Sequence, residues 1–162
     1  NCLTGKACYY EEKNNPQRII DIVRASSSLP FVCPIAYVDG IPMLDGGITD
    51  SIPLLRAQNE GFTENNVVVL TRNRGYRKQI KGTKVPPFIY RKYPLLREAI
   101  NNRSKLYNEQ LDLVERLEDE GRITVIRPQR PIEVDRIEKN IDKLTALYEE
   151  GYQLADGIRF EL

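Results

Sequence analysis

A long helical pattern in the second half of the chain restricts the fold most strongly. Between residues 93 and 120, side chains that are mostly apolar recur at three- and four-residue spacing, at Leu96, Ile100, Arg103, Tyr107, Leu111, Val114 and Leu117. This spacing predicts a helix with one mostly apolar stripe, which Gly121 ends. Arg103 interrupts the stripe, and we expect it to pair with an acidic residue or to reach a part of the protein outside this sequence.

Short apolar runs on both sides of this helix predict strands. Residues 66–70 and 123–126 are rich in β-branched side chains and lack polar alternation, which is typical of strands buried on both faces of a sheet. Nearer the start, residues 7–10 predict another short strand. Asp39-Gly40 predicts a hairpin over residues 37–43, since this dipeptide favours tight turns.

Further helices are predicted between these strands. Asn15 followed by Pro16 indicates an N-cap and a first helical position, and this helix should end near residues 26–28. We also expect a short helix over residues 51–58 and a terminal helix over residues 139–155. The alternation of strands and helices predicts an α/β fold with a largely parallel sheet. Three or four strands are few for a complete domain, so we expect N-terminal strands to be missing.

Composition excludes several classes of protein and of site. The sequence contains no histidine, so a Ser-His-Asp triad, a Cys-His pair and a histidine-ligated metal cannot be built from it. Its three cysteines have no C-x-x-C spacing, which argues against a disulfide framework or a zinc site and favours reduced thiols. A net charge of +1 gives no argument for nucleic acid, and the apolar runs are too short to span a bilayer.

Three segments in order carry a family resemblance. They are Ala25-Ser26-Ser27-Ser28-Leu29-Pro30, the Asp39-Gly40 hairpin, and Asp45-Gly46-Gly47 before Pro53. This set resembles the patatin-like phospholipase family, and residues 68–78 and 126–128 resemble its bacterial branch. The resemblance implies the C-terminal part of a three-layer α/β/α sandwich with a mostly parallel sheet. Residues 1–84 would be the C-terminal half of the patatin-like catalytic domain, and residues 85–162 a C-terminal extension with a long helix, a strand and a terminal helix.

The resemblance also implies a site. Asp45 would be the carboxylate of a Ser-Asp dyad, with Gly46 and Gly47 as active-site backbone. Such a dyad needs no imidazole, because the carboxylate can take the serine proton directly at about 2.6–3.2 Å. The sequence has no Gly-x-Ser-x-Gly and no glycine-rich stretch for an oxyanion hole. We therefore expect a portion of a lipid acyl hydrolase, a phospholipase or carboxylesterase, that is inactive alone.

Other interpretations stay open. The chain could be a noncatalytic lipid- or protein-interaction module with a patatin-like shell. Asp39, Asp45 and Asp50 could bind Mg²⁺ or Ca²⁺, although their spacing matches no known loop. Residues 26–28 are serines without flanking glycines, so we expect them to end a helix and not to act as nucleophiles.

A basic stretch adds a candidate membrane contact. No Asp or Glu occurs from residue 65 to residue 97, and Arg72, Arg74, Arg77 and Lys78 are candidate contacts for anionic headgroups. A solvated loop is the simpler interpretation. The expected partners are a lipid or acyl-ester substrate, a peripheral membrane surface, and the missing N-terminal part or a dimer mate. We expect no cofactor, metal or nucleic acid, and a cytoplasmic location with peripheral membrane contact as an option.

Overall fold

The computed structural model of the chain describes residues 1–63, 65–80, 84–134 and 137–157. In chain order its elements are α1 (Pro16–Ser26), β1 (Ala36–Val38), β2 (Ile41–Met43), a 3₁₀ turn (Gly46–Ile48), α2 (Leu54–Asn59), β3 (Asn66–Val69), α3 (Pro94–Asp119), β4 (Ile123–Ile126) and α4 (Ile141–Asp156). The predicted mixed α/β class is confirmed, and the fold includes a parallel strand pair.

The chain forms two compact units that interleave along the sequence. One unit consists of Asn1–Pro53 and Lys78–Leu111, and the other of Leu54–Arg77 and Asp112–Leu162. Helix α3 contributes residues to both. The division into residues 1–84 and 85–162 that the sequence favours stays a prediction.

Helix α1 and the hairpin follow from local signals in the first unit. The Asn15 side chain accepts a hydrogen bond from the Arg18 amide at 3.1 Å, with proline at the first helical position. Strands β1 and β2 pair antiparallel. Their turn residues Asp39 and Gly40 have φ values of 51° and 77°, as two-residue hairpin turns require. The predicted helix start and hairpin are therefore confirmed.

Among the described residues, two small apolar clusters stabilise the first unit. One joins α1 to the hairpin through buried side chains at Ala25, Ala36, Val38 and Met43. The other brings the start of α3 against the 3₁₀ turn through Cys2, Leu44, Ile48 and Leu96. The second cluster places α3 directly beside the segment that contains Asp45.

The predicted strand at residues 7–10 is wrong. These residues have no strand geometry, and the described strand pairs are β1 with β2 and β3 with β4. A strand needs a partner for its backbone groups, and sequence pattern alone does not supply one. The Tyr9 hydroxyl instead donates a hydrogen bond to the Asp50 carboxylate.

In the second unit, β3 and β4 pair in parallel, with Asn66 opposite Ile123 and Val69 opposite Ile126. The prediction that β3 is buried on both faces is wrong. Val68 is only 9% exposed, whereas Val69 is 68% exposed. A two-stranded sheet has two faces to cover, and the described residues leave one face of β3 open.

The terminal helix α4 is confirmed, and Asn140 caps it by accepting from the Lys143 amide at 3.2 Å. Its apolar residues do not form a core, since Ile141, Tyr148 and Tyr152 are all exposed. No helix in the described ranges has the length and apolarity needed to cross a bilayer.

Candidate functional site

Asp45 occupies the turn that follows β2. Its amide donates to the Ser28 carbonyl at 2.8 Å, and its carboxylate oxygen Oδ1 accepts from the Gly47 amide at 2.8 Å. Asp45 thereby caps the 3₁₀ turn Gly46–Ile48, and it makes no ion pair within the described part of the chain. The carboxylate is held by the backbone of its own loop.

The two glycines after Asp45 differ in how strictly the structure requires them. A Cβ atom at Gly47 would lie 2.9 Å from Asp45 Oδ1, which is too close for real contacts. At Gly46 the nearest atom would be Ser26 Oγ at 3.6 Å, an ordinary contact distance. A side chain at Gly47 would therefore require the Asp45 carboxylate to shift.

Helix α3 contacts this loop through Arg103. Its guanidinium Nε donates to the Gly47 carbonyl at 2.8 Å, and the Ser51 hydroxyl donates to the same oxygen at 2.8 Å. The charged residue that interrupts the apolar stripe of α3 thus has a backbone partner in this loop. Within the described residues Arg103 forms no ion pair with an acidic residue, and it binds a backbone carbonyl instead. A reach to a part of the protein outside this sequence stays a prediction.

Gln110, seven residues further along α3, binds the end of the same loop. Its Oε1 accepts from the amides of Ser51 and Ile52, both at 3.2 Å. Its Nε2 donates to Asp50 Oδ1 at 2.5 Å, and Tyr9 donates to the other oxygen of that carboxylate. Sequence reasoning missed Gln110, because nothing distinguishes it from other polar residues of the helix.

A cavity of about 340 Å³ opens beside Asp45 in the first unit. Asp45, Gly46 and Ser26 contribute polar groups to its lining, and apolar side chains include Ile22, Met43 and Leu96. Apolar walls with a few convergent polar groups are typical of small-molecule sites.

The serines at residues 26–28 end helix α1, as predicted. Ser27 is the C-cap residue, and its hydroxyl donates to the Val23 carbonyl at 2.9 Å. The Ser28 hydroxyl donates to the Arg24 carbonyl at 2.7 Å. Both hydroxyls therefore donate to carbonyls of the last turn of α1, where the Val23 carbonyl also accepts from the Ser27 amide.

The other two aspartates of the metal hypothesis have separate partners. Asp39 forms an ion pair with Arg18, with Nη2 and Oδ2 at 2.8 Å, and the hydrogen bonds from Arg18 lower the pKa of Asp39. Asp50 is bound by Tyr9 and Gln110. Within the residues that the structure covers, no three His, Cys, Asp or Glu side chains cluster in a way that could hold a metal ion.

Two of the candidate headgroup contacts form ion pairs with α3 in the second unit. Arg74 Nη2 lies 2.7 Å from an Asp119 oxygen. Arg77 Nη2 lies 2.6 Å from Asp112 Oδ1 and 2.7 Å from Glu115 Oε2. The hydrogen bonds from Arg77 are the main reason that the pKa of Glu115 falls to about 2.

The remaining two candidates lie over aromatic rings. The Arg72 guanidinium is 5.1 Å from the centre of the Tyr76 ring, and the Lys78 ammonium is 3.6 Å from the centre of the Tyr107 ring. Contact of these four residues with headgroups stays a prediction.

Comparison with protein families gives two matches. Residues 9–57 match the family of patatin-like phospholipases, a range that contains α1, the hairpin and the Asp45 turn. Residues 93–158 match a domain of unknown function, DUF6363, a range that contains α3, β4 and α4. No curated protein and no solved structure matches the chain significantly. Residues 9–57 are therefore similar to patatin-like phospholipases, and residues 93–158 to the domain of unknown function.

Proposed function

We propose that the chain is a portion of a serine-dependent lipid acyl hydrolase in which Asp45 is the base of a Ser-Asp dyad. The observation that carries this proposal is the position of Asp45. It lies inside the segment that matches the family, next to a cavity, with a carboxylate fixed by the Gly47 amide. The nucleophilic serine would come from a segment outside the printed sequence, which has no Gly-x-Ser-x-Gly.

The geometry of the carboxylate suits direct proton transfer. Oδ1 accepts from Gly47, and in the described part of the chain Oδ2 has no hydrogen-bond donor. Oδ2 would accept the serine proton while the serine oxygen bonds to the ester carbonyl carbon. The protonated carboxyl would then give that proton to the departing alcohol, which leaves an acyl-enzyme. Water would attack the acyl-enzyme with the carboxylate again as the base, and this step would release the acid and restore the serine.

The cavity supports an acyl-ester substrate. Ile22, Met43 and Leu96 give it an apolar wall on which a hydrocarbon chain would bury its surface. Asp45 lies at the same cavity, so an ester group there would be near the base. The family match supports a lipid-hydrolase origin.

A noncatalytic interaction module is the second candidate function. It is favoured by the lack of a Gly-x-Ser-x-Gly in the sequence and by the role of Asp45 as a turn cap, which requires no chemistry. A full-length polypeptide that has no nucleophile segment ahead of this chain would support the module and overturn the hydrolase.

The Asp45→Asn variant tests the dyad directly. Asparagine keeps an oxygen that can accept from the Gly47 amide, so the turn should persist while the base is lost. In the full-length polypeptide, we expect kcat for a short-chain nitrophenyl ester to fall by about 10²–10⁴, the usual contribution of a general base. Asp142→Asn, at an exposed carboxylate in the first turn of α4, is the matched control. Hydrolysis retained by Asp45→Asn would overturn the dyad.

A further inference from the structure

We propose that Arg103 and Gln110 of α3 are positioning residues that hold the Asp45 loop in its catalytic geometry. Both lie in the segment that matches the domain of unknown function, whereas the loop lies in the patatin-like segment. The inference rests on the proposed function. It assigns to the first part of the segment that matches the domain of unknown function a role in the site of the patatin-like segment.

Arg103 acts on the residue that orients the carboxylate. The Gly47 amide donates to Asp45, while its carbonyl accepts from Arg103 and from Ser51. Both polar groups of Gly47 are therefore engaged, and a rotation of its backbone would break bonds on either side. A hydrogen bond from a charged donor is stronger than one from a neutral donor, so Arg103 is the stronger of the two anchors at this carbonyl.

Gln110 acts on the exit of the same loop. One side-chain amide accepts from two successive backbone amides, at Ser51 and Ile52, and donates to Asp50. A glutamine side chain is suited to this, because it has acceptor and donor groups at one end. The loop is consequently held at both its centre and its end by one helix.

The two anchors share a face of α3. Seven residues separate them, which is close to two helical turns and about 10.5 Å along the axis. The helix is itself fixed to the loop segment by the buried cluster of Leu96 with Leu44 and Ile48. Small displacements of a catalytic group are costly, about 10²-fold for 1 Å. Support from a packed helix would keep the carboxylate within that tolerance.

The kinetic test compares variants in the full-length protein. For Arg103→Met and for Gln110→Leu, we expect kcat for the nitrophenyl ester to fall about 10- to 100-fold. KM should stay within roughly threefold, since the loss is of geometry and not of substrate binding. Arg103→Lys, which can still donate to the Gly47 carbonyl, should recover part of the loss. Arg116→Met, at an exposed arginine of the same helix whose side chain has no hydrogen bond in the described part of the chain, should match the wild type.

Amide hydrogen exchange supplies a readout that does not depend on activity. In Gln110→Leu, the Ser51 and Ile52 amides should exchange at least about tenfold faster, because they lose their acceptor. In Arg103→Met, the Gly47 amide should exchange faster, while amides within α1, such as that of Ile19, keep their rates. Exchange that rises equally throughout the chain would show general destabilisation and overturn the positioning role.

The outcomes separate this inference from the proposed function. If Asp45→Asn abolishes hydrolysis while Arg103→Met and Gln110→Leu keep both kcat and amide protection, only the positioning role fails. If Asp45→Asn keeps full hydrolysis, the dyad fails, and the catalytic part of this inference fails with it. Local loss of protection would then still show that α3 anchors the loop.

Discussion

Gly47 is constrained on several sides within the Asp45 turn. Its amide donates to Asp45, its carbonyl accepts from two side chains, and its α-carbon faces the Asp45 carboxylate. A side chain at the second glycine of the Asp-Gly-Gly motif would therefore displace the Asp45 carboxylate. The first glycine is free of such a conflict.

Alanine at the two glycines should therefore have different effects. Gly47→Ala places a methyl group 2.9 Å from Asp45 Oδ1, so the carboxylate must move and the cap is lost. We expect the free energy of unfolding of the chain to fall by about 1–3 kcal/mol, as is usual for the loss of a cap or for local strain. Gly46→Ala, with only an ordinary contact to Ser26, should change it by less than about 0.5 kcal/mol.

Urea denaturation of the chain, followed by circular dichroism, measures both glycine variants. The matched pair controls for the general effect of alanine on the unfolded chain. Equal losses of stability for Gly46→Ala and Gly47→Ala would show that the contact with Asp45 does not decide the outcome.

At the scale of elements, the sequence predicts those parts of the fold that depend on neighbouring residues. Asn15 and Pro16 begin α1, Asp39-Gly40 turns the hairpin, and the spacing of apolar residues gives α3 to within a residue or so at each end. These signals act within a few residues, so one sequence contains them in full.

Features that depend on distant partners were not predictable in this way. Residues 7–10 have a strand-like pattern but no strand to pair with. The open face of β3 depends on what packs on the sheet, which its own residues do not specify. Likewise, Arg103 stands out as a charge on an apolar stripe, but its bond to Gly47 joins residues 56 positions apart. Of the candidate site, the sequence predicts the motif but not its anchors.

The loop that contains Gly75 and Arg77 is attached to α3 by Glu115. Oε1 of Glu115 accepts from the Gly75 amide at 3.0 Å, and Oε2 accepts from Arg77 at 2.7 Å. Arg127, almost fully buried, lies 3.5 Å from the same carboxylate. In the second unit, the loop with Gly75 and Arg77 is therefore held against α3 by a network of charged groups and not by apolar packing alone.

The low pKa of Glu115 sets the direction of a pH effect. Hydrogen bonds from Arg77 lower it from 4.5 to about 2 in the folded chain. A carboxyl whose folded pKa is depressed stabilises the fold above its unfolded pKa, and this stabilisation is lost as the pH falls through the folded value. The contribution of Glu115 should therefore be complete above about pH 4.5 and should disappear towards pH 2.

Glu115→Gln should remove this pH dependence. At pH 7 we expect the free energy of unfolding of this variant to be lower by about 1–3 kcal/mol, because hydrogen bonds to a charged group are lost. Between pH 4.5 and pH 2 the variant should lose stability less steeply than the wild type. Glu109→Gln, which breaks only an exposed pair with Lys105 at 3.8 Å, should change little. Parallel stability curves for wild type and Glu115→Gln would contradict the role of this carboxylate.

At the scale of the whole molecule, charge is balanced overall and unevenly distributed along the chain. There are 24 basic and 23 acidic residues, so no net field would steer the protein to an anionic surface. The basic stretch is locally offset, because Arg74 and Arg77 pair with carboxylates of α3. Arg72 forms no ion pair in the described part of the chain, and it lies over Tyr76.

If the basic stretch contacts lipid headgroups, its four residues should therefore contribute unequally. In co-sedimentation with phosphatidylserine-containing vesicles, Arg72→Gln should weaken binding about fivefold, since a basic residue near an anionic surface is worth about 1 kcal/mol. Arg74→Gln and Arg77→Gln should have smaller effects, because neighbouring carboxylates already cancel much of their charge. Arg116→Gln serves as a control outside the stretch. Binding to these vesicles should also fall with added salt. Sedimentation that responds neither to salt nor to the anionic lipid would show that the stretch is an ordinary solvated loop.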